Sequence, residues 1–252
     1  MERSGSPLEG KVALLTGAVR RTGRAMALTL AEHGAHIVVN ARSSRDEAQS
    51  VAAEVKALGR EAHDHLADIT DEQAVQAMVD DVVERFGRLD ILVNNAANRK
   101  QTPFLKMTFD DWREFTSIVL DGAFLCSRAA LPHMVERGEG RIVNIGGVSS
   151  ALGTADRAHV VTAKSGLVGL TRALATEFAK DGVTVNCVSP GLIGGERPAT
   201  AGTLPPGHES KILVGREGTF DEVAAMVLAL CLPSAAFTTG QNIHVNGGMY
   251  FS

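Results

Sequence analysis

The sequence predicts an α/β fold, a doubly wound parallel sheet with helices on both faces. Three observations carry this. Short apolar runs alternate with longer amphipathic stretches from one end of the chain to the other. Several short runs are apolar on both faces, as strands covered by helices on either side must be. The alternation continues without a linker, an internal repeat or a low-complexity break, which favours a single domain over residues 1–252.

In chain order, residues 12–16, 36–40, 90–94, 141–145, 183–188 and 241–246 read as strands, with 61–68 a weaker candidate. Helical patterns fill 24–33, 45–58, 71–86, 109–135, 158–180 and 220–230. In the third of these, Ala74, Val75, Met78, Val79 and Val82 recur with the helical period behind Asp71, an acid placed at the positive end of the helix dipole. The stretch 191–218 is rich in Gly and Pro and fits neither pattern. After a strand, such a segment is a candidate substrate lid.

Composition excludes several partners. Of 252 residues, 44% are hydrophobic and 21% charged, enough to bury one full core. The formal net charge of -4 leaves no basic footprint, which argues against nucleic acid. Cys126, Cys187 and Cys231 are odd in number and far apart, without zinc spacing, so neither disulfides nor a metal are expected. Residues 1–10 lack the apolar block of a signal peptide, and no uninterrupted apolar run approaches a membrane span. A cytoplasmic protein is the expectation.

The first strand runs straight into Thr16-Gly17-Ala18-Val19-Arg20-Arg21-Thr22-Gly23-Arg24-Ala25, and a helix follows. Glycines there let the backbone turn and approach a pyrophosphate, which free N–H groups at a helix N-terminus attract. The placing between strand and helix is what gives the glycines weight.

In these residues the chain resembles the short-chain dehydrogenase/reductase family, oxidoreductases with a Rossmann-type fold and a nicotinamide cofactor. The family motif Thr-Gly-x-x-x-Gly-x-Gly is met at Thr16, Gly17 and Gly23. Asp68 in Ala-Asp-Ile-Thr-Asp matches the acid that meets the adenine ring, with Ile69 beside it. Asn94-Asn95-Ala96-Ala97 matches the Asn-Asn-Ala-Gly that closes strand four, and Pro190-Gly191-Leu192-Ile193 the loop that holds the carboxamide. Gly247-Gly248 matches the C-terminal strand motif. The resemblance covers nearly the whole chain. It implies a cofactor site of Gly17, Arg20, Arg21, Thr22, Gly23, Asn40, Arg42, Ser43, Asp68, Ile69, Asn95, Ala96, Ala97, Lys164, Pro190, Gly191 and Ile193.

Arg21 stands where the motif has its middle glycine. In pteridine reductases, a branch of the family, a similar arginine faces the substrate cleft; a tighter grip on phosphate is the second reading, and both stay open. The second strand ends Asn40-Ala41-Arg42-Ser43-Ser44, with no acid to bind a ribose 2′-hydroxyl. Arg42 and Ser43 resemble the pair that NADPH-preferring members use, and Arg20 lies close enough in sequence to assist. NADPH/NADP+, rather than NAD, is the implied cofactor.

The family's chemistry uses Asn, Ser, Tyr and Lys. Lys164 matches the lysine. The tyrosine position, one helical turn earlier, is Val160; the serine position is Gly147; the asparagine position is Val119. The chain's one tyrosine is Tyr250, so no shift of register supplies the missing phenol. His159 neighbours the tyrosine position but lies about 100° around the helix, and a structural histidine is the preferred reading. Ser149 and Ser150 follow the serine position, where a polar turn explains them as well. Arg21, Arg99 and Lys100 either ring the cleft mouth or, for the last two, are solvated charges.

The resulting expectation is an NADP(H)-dependent oxidoreductase acting on a small carbonyl, imine or enone, with a non-standard proton relay. The alternative is a noncatalytic NADPH-binding sensor or partner subunit. The resemblance also implies a homotetramer or homodimer packed through the long fourth helix and the Lys164 helix. Leu167, Val168, Leu170 and Leu174 on the latter suit either an interface or internal core.

Overall fold

Val12 and Leu14 of β1 (Val12–Leu15) point into one hydrophobic layer while Ala13 and Leu15 point into the other, as a doubly covered strand requires. The computed structural model describes residues 6–98, 100–195, 207 and 211–252. The same logic builds β2 (His36–Ala41), β4 (Ile91–Asn94), β5 (Gly140–Ile145) and β6 (Val183–Pro190), while the outermost strands β3 (Ala62–Leu66) and β7 (Asn242–Val245) are half-buried along their length. They form one seven-stranded sheet in the order β3-β2-β1-β4-β5-β6-β7, with every pairing parallel. The order reverses between β1 and β4, where parallel sheets open a crevice at the strands' carboxyl ends.

One face is covered by α1 (Arg21–Glu32), α2 (Arg45–Ala57) and α8 (Phe220–Cys231). The other carries α3 (Glu72–Phe86), α5 (Gly122–Arg137) and part of α7 (Ala158–Phe178). Asp71 caps α3 rather than starting it: its carboxylate accepts from the N–H groups of Gln73 and Ala74. Helix α1 begins three residues earlier than the sequence pattern suggested, because Arg21 and Thr22 are polar and carry no apolar period.

The stretch expected as one helix over 109–135 is instead α4 (Phe109–Thr116), a π turn (Ser117–Asp121) and α5. By length and mean hydropathy the whole rod Phe109–Arg137 could cross a membrane, but half of its apolar window is buried within the fold, and its apolar character is broken by charges such as Asp121 and Arg128. A short helix, α6 (Ser149–Leu152), replaces the polar turn expected there, with the Ser150 hydroxyl donating to the Gly147 carbonyl at 2.8 Å. Leu167, Leu170 and Leu174 of α7 pack into the chain's own core clusters.

Arg99 and most of the expected lid, residues 196–206 and 208–210, lie outside the described residues. Both ends of the lid segment are described and are pinned together. The Gly194 N–H donates to the Gly218 carbonyl and the Gly218 N–H to the Leu192 carbonyl, each at 2.9 Å.

Candidate functional site

The crevice is organised by the hydroxyl of Thr16. It accepts from the N–H of Asn95 at 3.0 Å and of Ala96 at 3.1 Å, while the Asn95 amide donates back to the carbonyls of Thr16 and Gly17 at 3.0 and 2.9 Å. This clasp ties the loop after β1 to the loop after β4. Gly17 takes φ +59°, and a β-carbon on it would lie 2.9 Å from Ala96 Cα. A β-carbon on Gly23 would lie 2.7 Å from the Gly17 carbonyl oxygen and 2.8 Å from Ala18 Cα. Nothing larger than hydrogen fits at either position. No side chain caps α1 at Arg20 and no acid stands in its first turn, unlike α3. Its first N–H groups thus meet the crevice with the positive end of the helix dipole.

Arg21 sits at φ +51°, a left-handed conformation uncommon outside glycine, at the position where the motif has glycine. Its guanidinium lies 4.9 Å over the ring of Phe220, at the start of α8. The side chain therefore bridges the glycine loop and the β6–α8 connection, a place from which either sequence reading of its role is geometrically possible.

At the end of β2, Arg42 and Ser43 are exposed and Arg20 is 70% exposed, with Glu47 3.7 Å away. Asn40 is buried, its amide donating to the Ala67 carbonyl at 3.1 Å, which joins the ends of β2 and β3. The Asp68 carboxylate accepts from the backbone N–H and hydroxyl of Thr70 at 2.9 and 2.8 Å. Those hydrogen bonds, with Arg42 nearby, hold its carboxyl below the usual carboxylate range. Ile69 is buried; a β-carbon on Gly122 would meet its Cδ1 at 2.6 Å.

On the other side of the crevice Lys164 is buried, and its ammonium donates to the Ile145 carbonyl at 2.5 Å. Thr16, Asn94, Ala96, Val119, Ala123 and Lys164 line one narrow depression, so the end of β1 and the lysine face the same space. Beneath it the Asn94 amide donates to Asn144 at 2.9 Å and to the Ser127 hydroxyl at 3.2 Å, and Asn144 donates to Thr171 at 2.9 Å. This buried network joins β4, β5, α5 and α7. Strand-ending asparagines were its signal in the sequence, but their partners were not.

Val119 is buried inside the π turn, and Val160 is half-buried one turn before Lys164. A β-carbon on Gly147 would meet only the Ser149 hydroxyl, at 3.7 Å. His159 is fully buried, edge-on to Phe115 with ring centroids 5.0 Å apart. Burial pushes its pKa down. Ser149 opens α6, and Lys100 is paired with Asp111 of α4. Tyr250 packs against the ring of His244 at 4.8 Å, beyond β7. Burial pushes the Cys126 and Cys231 thiols up to about 12, which leaves them inert as nucleophiles. Pro190, Gly191 and Ile193 close β6, where the Gly191 N–H donates to the Val245 carbonyl at 2.8 Å.

Known proteins align with this chain from end to end. The family described as enoyl-(acyl carrier protein) reductase matches residues 17–250. A 3-oxoacyl-(acyl-carrier-protein) reductase FabG of Staphylococcus aureus is 39% identical over 241 residues, covering 95% of this chain and 98% of that protein. A 3-oxoacyl-(acyl-carrier-protein) reductase of Synechocystis is 38% identical, covering 96% and 98%. Among solved structures, an NAD+-bound xylitol dehydrogenase superposes with a TM-score of 0.89 at 30% identity, covering 96% of this chain and 99% of that one. A mutant short-chain dehydrogenase/reductase of Serratia marcescens gives 0.89 at 32%, with the same coverage. The strand order, the clasped glycine loop and these full-length alignments agree: the chain belongs to the short-chain dehydrogenase/reductase family.

Proposed function

We propose that the chain is an NADP(H)-dependent oxidoreductase that moves hydride between NADPH and a small carbonyl, imine or enone substrate. Of the family's four catalytic residues, only Lys164 is present. The observation that carries the cofactor reading is the cradle at Gly17 and Gly23, where any β-carbon collides with neighbouring atoms. That fit is to a pyrophosphate, held by the N-terminal N–H groups of α1 with Thr22 beside them. Exposed Arg20, Arg42 and Ser43, with no acid at the end of β2, suit a 2′-phosphate dianion. Asp68 and Ile69 would flank the adenine. Asn95, Ala96 and Ala97 would line the adjoining ribose and phosphate. Pro190, Gly191 and Ile193 would meet the carboxamide.

When bound, the dihydronicotinamide supplies the hydride. Lys164 would hold the nicotinamide ribose hydroxyls. Val119, Gly147 and Val160 offer no ionisable group, so the proton comes from water or from the substrate itself. Buried His159 is packed against Phe115 and is not the donor, and Ser149 and Arg21 act at most as hydrogen-bonding groups for the substrate. A positioned general acid is worth about 10²–10⁴ in rate. The relatives are named for reduction of a 3-oxoacyl carbonyl on an acyl carrier protein. The same carbonyl chemistry here would run slower by about that factor, and an already activated C=N or conjugated bond would lose least. A homodimer or homotetramer is part of the proposal, supported by an apolar groove between α5 and α7 lined by Phe124, Leu131, Val135, Leu174 and Phe178.

The second reading, a noncatalytic NADPH sensor or partner subunit, is favoured by the apolar side chains at positions 119 and 160 and the bare backbone at 147. Calorimetry with NADPH and NADH, followed by coenzyme consumption across 3-oxoacyl thioesters, cyclic imines and enones, separates the two. The expected result is tighter binding of NADPH and turnover above the solution rate for at least one activated substrate. Tight binding without turnover selects the sensor. No heat with either coenzyme, from folded protein, defeats both.

A further inference from the structure

Among the described residues β3 is an outer strand of the sheet, paired on one side only, with β2. Its sequence Ala62-His63-Asp64-His65-Leu66 sets two histidines two residues apart, and therefore on one face. Asp81 of α3 meets both. His63 Nε2 lies 3.0 Å, and His65 Nδ1 3.1 Å, from the same carboxylate oxygen, Oδ2. The three donor atoms all lie within 4.8 Å of one another. Arg85, one turn along α3, holds the other oxygen, Oδ1, at 3.3 Å and so fixes the rotation of the carboxylate. The side chains of His63, His65 and Asp81 are 25%, 22% and 29% exposed, open enough to admit an ion with its water.

We propose that His63, His65 and Asp81 bind a divalent transition-metal ion of the zinc type. Two imidazole nitrogens and one carboxylate oxygen are the donor set that Zn²⁺, Co²⁺ or Ni²⁺ takes, whereas Mg²⁺ and Ca²⁺ want oxygen alone. Donors around a tetrahedral ion with bonds of about 2.0–2.2 Å stand roughly 3.3–3.5 Å apart. The observed 3.0 and 3.1 Å separations reach that by small side-chain rotations. Solvent fills the remaining position. Such an ion crosslinks the outer strand to α3, just before the chain runs on to Asp68 and Ile69. The proposal is independent of the hydride chemistry.

The rival arrangement is two imidazole N–H groups donating to one carboxylate without metal, and titration distinguishes them. Untagged full-length protein, stripped with a chelator, is titrated with ZnCl₂, CoCl₂ and MgCl₂ by calorimetry, with visible absorption read for Co²⁺. Expected are one Zn²⁺ or Co²⁺ per chain, a four-coordinate Co²⁺ spectrum, and no heat from Mg²⁺. Saturating Zn²⁺ raises Tm by roughly 5 °C, as binding to the folded state alone requires. His65→Gln and Asp81→Asn each weaken binding at least about tenfold. Should a variant misfold, paramagnetic broadening by Co²⁺ of the His63 and His65 ring signals in the unmodified protein gives the same answer. Absence of binding, an affinity unchanged in well-folded variants, or broadening confined to other histidines overturns the proposal.

Discussion

Two glycines on opposite sides of the crevice behave in opposite ways. At Gly23 a β-carbon would collide at 2.7 Å with backbone; at Gly147 it would meet one hydroxyl at an ordinary 3.7 Å. The first belongs to the half of the site built on β1 and β2, the second to the half built on β5 and α7. Recognition of a pyrophosphate rests on backbone shape, where each atom is already in contact with another. Proton transfer rests on the tips of a few side chains, which can be absent while the surrounding packing stays intact. If the glycine loop holds the pyrophosphate as proposed, the fold sets a tightly constrained cofactor half beside a catalytic half with room to change.

Substitutions can break or sharpen that contrast. Gly23→Val strikes the cradle itself: NADPH affinity falls by at least about 100-fold, because the loop must open to admit the side chain, and calorimetry measures the loss. If Gly23→Val binds normally, the cradle is not the pyrophosphate site. Next comes the paired replacement Gly147→Ser with Val160→Tyr, which on the proposed reading supplies a hydroxyl after β5 and a phenol one helical turn before Lys164. Carbonyl reduction is expected to rise by about 10²–10⁴, read as coenzyme oxidation. An unchanged rate with coenzyme still bound would mean that this half is closed to substrates altogether.

Arg42→Ala should weaken NADPH by about tenfold and leave NADH nearly unchanged, since it removes one charged partner of the 2′-phosphate. Equal losses for both coenzymes would place the arginine elsewhere. Gly147→Ser alone should shift Tm by less than about 2 °C, given its open surroundings. A further small effect concerns pH. Burial lowers the pKa of His159 in the folded protein; the Asp111 charge and a backbone hydrogen bond at Lys100 oppose this, and the Lys100 and Arg157 charges lower it further. The unfolded chain therefore takes up the proton first, and stability falls as pH drops below about 6.5. His159→Phe should flatten that slope by about 2 °C in Tm between pH 7.5 and 5.5, with half-buried His244 contributing to what remains.

Most of the sheet was legible because its strands are apolar on both faces, as in Val12–Leu15 and Ile91–Asn94. β3 read weakly because Ala-His-Asp-His-Leu belongs to an outer strand that is only half-buried along its length. The glycine loop between β1 and α1 was legible as an ordered motif, and the left-handed backbone of Arg21 follows from the glycine it stands in for. The stacking of Arg21 on Phe220 and the bond from Lys164 to the Ile145 carbonyl were not, since each joins residues far apart in the chain. The π turn was hidden for another reason. Ser117-Ile-Val-Leu-Asp121 carries no glycine or proline and continues the apolar character on either side.

That turn has a mechanical consequence. One extra residue in a helical rod twists everything beyond it by roughly 100°. Phe115 and Val119 consequently join Ala163 and Leu167 beside the crevice, while Cys126, Ala130 and Met134 turn beneath the sheet. Deleting a single residue between Ser117 and Asp121 would put the two halves of the rod out of phase, forcing one of them to expose its apolar side. The wall of the cleft is in this sense set by a count of residues, and no exchange of side chains alone can restore it.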